Sequence, residues 1–176
     1  VRHNDFTAAM LCGTRVLALA ARKGLPLLTP CKCCYGNLKQ ADYWMRHNAA
    51  LRHQINTLLG NEGLYWREDI VVRHLLTALD EDVGRERLAA RVRRPLMGLK
   101  VAAHYACHAL RPGDVTQFDG PLAPTVFERV VAVTGAGAYG VLYGRHALEL
   151  TTAQLPVARL PPALAGLRIG LMTDVH

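Results

Sequence analysis

CKCCYGNLKQADYW, residues 31 to 44, follows the short apolar run Pro26-Leu27-Leu28-Thr29 and crowds three thiols into four positions. Pro30 cannot donate to a sheet ladder and favours an extended residue before it, while Leu38, Ala41, Tyr43 and Trp44 suit one helix. The stretch therefore predicts a strand that ends at Pro30 and a helix that begins at the cysteines. Cys31 and Cys34, three apart, then lie on the first turn and point the same way. Unpaired N–H groups and the positive end of the helix dipole favour thiolates there, the form that attacks disulfides and binds soft metals. The segment reads as a metal or redox site at a strand end.

The flanking sequence extends this pattern. Phe6 to Lys23 predicts a helix that stops at Gly24, with Cys12 inside it as a small core residue. A second helical piece runs from Asn48 to Leu59 and closes at Gly60. Ile70-Val71-Val72 is either a short strand or the approach to a helix carrying Leu75, Leu76 and Leu79. Pro95 and Gly98 mark a turn before a strand over Leu99 to Tyr105, and Pro121 and Pro124 precede a helix from about Thr125 to Val133. Strands separated by helices predict an α/β fold, a parallel sheet with flanking helices and ligands at the carboxyl ends of the strands. Cys107, between His104 and His108 in HYACHALRPGD, falls at the same rim as Cys31 and Cys34. The two histidines are either structural imidazoles or part of that site.

Composition sets outer bounds. A chain of 176 residues, 51% hydrophobic and 20% charged, is long enough for a globular domain with its own core. The cysteines, Cys12, Cys31, Cys33, Cys34 and Cys107, are odd in number and unevenly spread, which points to a reducing cytoplasm rather than a disulfide framework. No signal peptide is expected, and the longest uncharged run, between Arg129 and Arg145, is Gly-rich and shorter than the roughly 20 apolar residues of a spanning helix. No intact membrane span is expected. The formal charge of +7 concentrates at Arg85, Arg87, Arg91, Arg93 and Arg94, with Arg87, Arg91 and Arg94 on one helical face. Such a face is either solvated or docks an acidic partner. Nucleic acid is not expected, since there is no binding motif and no aromatic interleaving.

The segments TPCKCCYGNLKQAD, VVRHLLTALDEDVG, LKVAAHYACHALRPGDVTQFD and PLAPTVFERVVAVTGA resemble, in this order, the cysteine-rich B subunit of heterodisulfide reductase and its relatives, over residues 1 to about 136. The resemblance implies an incomplete Rossmann-like sheet and a noncubane four-iron iron–sulfur cluster held by two cysteine-rich repeats. Cys31 and Cys34 match the closing C-x-x-C of the first repeat, and Cys107 the opening cysteine of the second. Cys33 matches no required ligand, and Ala106 stands where relatives often have glycine. The first repeat's other cysteines would lie before Val1, and the second repeat's Cys-Cys-Gly and C-x-x-C are absent after Ala136, so neither ligand set is complete. An intact relative would take electrons from an iron–sulfur partner subunit and pass them to a disulfide or related acceptor, with His108 beside Cys107 as the candidate catalytic residue.

Residues 137 to 176 are similar to the opening of calcineurin-like metallophosphoesterases. Leu167 to Met172 would be the first strand, ending in D-x-H. Asp174 and His176 would be the first ligands of a divalent metal pair, complete only with later residues. The chain thus reads as two truncated pieces, 1–136 and 137–176, joined near residues 136 to 140, the second a loosely attached strand segment. The leading expectation is part of an iron–sulfur electron-transfer or disulfide-reductase subunit, which leaves open whether this chain is itself an enzyme. The alternatives are the start of a metallophosphoesterase, a structural zinc site at Cys31, Cys34 and a histidine, and a nonfunctional mosaic. Thioredoxin-like chemistry belongs to a different strand and helix context.

Overall fold

A computed structural model describes residues 5–101, 107–135 and 137–138. Helix α1 (Phe6–Lys23) begins at Asp5, whose carboxylate accepts the Ala8 N–H at 2.8 Å, and ends at Gly24, left-handed at φ 63°. That positive φ is the reason the position is glycine. Met10, Thr14, Leu17, Ala18 and Ala21 are buried along one stripe. Cys12, expected in that core, is exposed. Two positions on from Met10 it lies about 200° round the helix, on the opposite face.

Strand β1 (Leu27–Thr29) leads through Pro30 into α2 (Lys32–His47), the central helix. Helix α1 crosses it closely: a Cβ on Gly13 would stand 2.8 Å from the Ala41 Cβ. Asn48 ends α2 and caps α3 (Ala49–Gly60), its side chain accepting the Leu51 N–H at 2.9 Å. Leu17, Ala41, Met45, Ile55, Leu59 and Leu64 from these helices and the following loop form the best-buried part of the core. Burial of each leucine-sized side chain contributes about 1.5–3 kcal/mol.

Strand β2 (Val72–His74) runs parallel to β1, with Leu27 opposite Val72 and Thr29 opposite His74. It starts two residues later than the apolar run Ile70-Val71-Val72, because Val72 and His74 are the buried pair while Val71 is exposed. The helix expected around Leu75, Leu76 and Leu79 is broken into α4 (Leu75–Thr77), a π-helical segment over Ala78–Gly84 and α5 (Arg85–Ala89). Arg87, Arg91 and Arg94 therefore do not share a helical face. Arg91 and Arg94 lie in turns beyond α5, where like charges at helical spacing repel and Pro95 disfavours a helical Arg94.

A second parallel ladder pairs β3 (Lys100–Val101) with β4 (Gly137–Ala138). Between them lie α6 (Cys107–Leu110), α7 (Gly113–Thr116) and α8 (Val126–Ala132). Of the strand expected over Leu99 to Tyr105, residues 102–105 lie outside the described residues, as does the segment Leu167 to Met172. The fold is α/β with parallel pairing. Among the described residues the strands form two separate two-stranded ladders, each spanned by helices.

Candidate thiol site at the start of helix α2

Cys31 is the N-cap of α2, with extended backbone at φ −93° and ψ 118°. Its N–H donates to the Thr29 hydroxyl at 3.1 Å, and its carbonyl accepts the first helical bond, from Tyr35 N–H at 2.9 Å. Its sulfur accepts the Cys34 N–H at 3.5 Å, as a serine or aspartate oxygen would at an N-cap. The Cys34 amide, then the Cys34 thiol and the Cys33 amide, hold the Cys31 thiol below the ordinary thiol range. Cys34 is pushed the other way, by its hydrogen bond with Cys31 and then by desolvation. Cys31 and Cys34 are exposed and Cys33 is half-buried, all as free thiols.

Two buried rings flank this stretch, one directly after Cys34 in the chain and one opposite Thr29 in the ladder. His74 ends β2 opposite Thr29, is 6% exposed, and accepts the Leu76 N–H on Nδ1 at 3.2 Å. Burial holds its pKa below the ordinary histidine value, partly offset by the Pro30 backbone. Tyr35 stands edge-on to His74 and to Phe118, with ring centroids 5.6 and 5.8 Å away. Its hydroxyl donates to the Thr116 carbonyl at 2.6 Å, and burial pushes its pKa up to about 12. Neither His74 nor Tyr35 stands out in the sequence as a site residue. The available signal was position: His74 ends a strand parallel to β1, so it falls at the same rim as Cys31.

The second cysteine segment meets the first at a glycine. A Cβ on Gly36 would overlap the His108 carbonyl oxygen, so α6 lies against α2 two residues after Cys34. His108 is exposed, and Ala109 and Leu110 are buried in the core. Cys107 begins α6, and its side chain lies outside the described residues. Asp174 and His176, expected as metal ligands, and His104 also lie outside them.

Exposed cysteines at a helix start can supply the thiolate ligands that iron–sulfur clusters use. Among the described residues, which do not include the Cys107 side chain, no three His, Cys, Asp or Glu side chains converge on a metal position, so the described thiols are only part of a four-iron ligand set.

No family model matches the chain. It is 32% identical over 157 residues to the B subunit of the ferredoxin/F420H2-dependent CoB-CoM heterodisulfide reductase of Methanosarcina acetivorans, covering 82% of this chain and 52% of the relative. A protein of Archaeoglobus profundus described as like the heterodisulfide reductase B subunit is 33% identical over 136 residues, 76% of this chain and 46% of its own. Over these stretches the chain is similar to heterodisulfide reductase B subunits. A further relative, the 8-methylmenaquinol:fumarate reductase membrane anchor subunit of Wolinella succinogenes, is 36% identical over 132 residues, 75% of this chain and 45% of the relative. The chain thus spans about half the length of the curated relatives it matches. These relatives are subunits of oxidoreductase complexes. Among the described residues no helix is long and apolar enough to cross a membrane.

Proposed function

We propose that this chain is part of an iron–sulfur oxidoreductase subunit of the kind found as the B subunit of heterodisulfide reductase, and that Cys31 and Cys34, with Cys107, supply thiolate ligands to its cluster. The observation that carries this is the N-cap geometry: Cys31 and Cys34 are both exposed on the first turn of a helix fed by a parallel strand. The contact of α6 on Gly36 brings the Cys107 segment to the same helix. The noncubane four-iron type follows the family resemblance. Among the described residues only part of such a ligand set is present.

In this reading the electron donor is an iron–sulfur partner subunit, the acceptor is a disulfide or related group, and the compartment is the cytoplasm. His108, exposed beside Cys107, is the candidate proton carrier for the acceptor. The two parallel crossovers support a Rossmann-like arrangement, and the division of the chain near Ala136 belongs to the same proposal. The test is anaerobic reconstitution with iron and sulfide, followed by metal and sulfide analysis. The expected result is iron below one cluster per chain, lowered further by Cys31→Ser and by Cys34→Ser. A stoichiometric cluster indifferent to both substitutions overturns the assignment.

A further inference from the structure

Several arginines elsewhere in the described fold are neutralised by carboxylates. Arg15 pairs with Glu62, Arg46 with Asp42, Arg67 with Asp69, Arg73 with Glu81 and Asp82, and Arg129 with Asp80. The run from Arg85 to Leu99 is different. It carries five arginines against the single acid Glu86. Only Arg85 reaches a carboxylate, Asp80 at 3.5 Å. Arg87, Arg91, Arg93 and Arg94 are exposed and form no ion pair among the described residues.

Apolar side chains continue this basic stretch. Met97 is 78% exposed, and Leu96 and Leu99 are about half exposed. The turn that presents them is pinned to the rest of the fold, since Leu96 N–H donates to the Thr134 carbonyl at 2.8 Å and Leu99 N–H to the Leu96 carbonyl at 3.2 Å. Gly135 lies beneath it, where a Cβ would stand 2.9 Å from the Met97 sulfur. At the other end of the run an open cavity of about 420 Å³ is lined by Asp80, Val83, Gly84, Arg85, Glu86 and Arg87.

We infer that the surface from Arg85 to Leu99 docks an acidic protein partner whose carboxylates flank apolar side chains. Charge complementarity decides the occupant's sign. Unpaired guanidinium groups offer carboxylates a planar two-point contact, and Arg and Met are enriched at protein interfaces. Residues 85–99 contain no aromatic side chain to stack on bases or to anchor in a membrane interface, and α5, at five residues, gives no amphipathic face for a lipid surface. A phosphate backbone would leave Met97, Leu96 and Leu99 uncovered. Membership of this acidic protein in an oxidoreductase complex rests on the proposed function, whereas the surface itself does not.

Fluorescence anisotropy of the full chain tests this with a labelled synthetic peptide of alternating glutamate and leucine. Its lysine-for-glutamate counterpart, phosphatidylglycerol vesicles and duplex DNA are the comparison probes. The acidic peptide is expected to bind and to weaken with added salt. Arg93→Glu/Arg94→Glu should weaken it roughly tenfold, as reversed rim charges do, and Met97→Ser should weaken it measurably at unchanged charge. The charge-matched control Arg22→Glu/Lys23→Glu, at the end of α1, should have little effect, with circular dichroism confirming that each variant folds. Equal loss in the α1 control, or tighter binding of vesicles or DNA than of the peptide, overturns the inference. Neither result touches iron uptake, so this proposal and the cluster assignment fail separately.

Discussion

The His108 carbonyl oxygen occupies the space that a side chain on Gly36 would need, and this single approach joins the two cysteine segments of the chain. Cys34 lies two residues before one partner, and Cys107 directly precedes the other. Glycine at position 36 is thus required by packing, inside a helix where it would otherwise be a poor choice.

Gly36→Ala should therefore destabilise the protein, although alanine is the better helix former. Backbone is the obstacle, so α6 must move, at a cost of roughly 1–3 kcal/mol. Urea unfolding reads the stability, and iron uptake after reconstitution should fall with it. A Gly60→Ala control has open space around it and should be mild.

Cys31 should be the more reactive thiol of its pair. Its pKa is lowered by the Cys34 amide and thiol, while that of Cys34 is raised by the same contact. Iodoacetamide should modify Cys31 at lower pH than Cys34, as followed by mass spectrometry of peptides. Cys34→Ala should move the Cys31 profile to higher pH by removing the thiol donor, and only in part, because the residue 34 amide remains.

His74 links stability to pH. Its folded pKa is below the ordinary 6.5, so the unfolded chain takes up a proton that the folded one resists. The contribution is complete above that value and is lost as pH falls through it toward the lowered folded pKa. Chemical unfolding at a series of pH values should show the loss, and His74→Gln should flatten it.

Arg129 neutralises a carboxylate that the fold has buried. Its Nε and a terminal nitrogen both lie 2.7 Å from Asp80 Oδ2, and the Asp80 side chain is 7% exposed. Arg129→Met should cost about 3 kcal/mol, near the low end for breaking such a pair, because Arg85 still stands 3.5 Å from the other oxygen. Asp80→Asn in the same background should recover part of the loss in a thermal melt.

The stretch CKCCYGNLKQADYW decided the local architecture unaided. Pro30 and the apolar spacing left one reading, a strand feeding a helix that starts at the cysteines, and α1, α3 and α8 followed from apolar residues bounded by glycine or proline. Such features act between residues a few positions apart, so they survive in a linear string. The broken helix after β2 and the exposure of Cys12 were not legible, because they depend on which face the neighbouring elements cover. Only the tertiary structure set the His74 ring against Tyr35 and α6 against Gly36, since those contacts join residues dozens of positions apart through packing that no local pattern encodes.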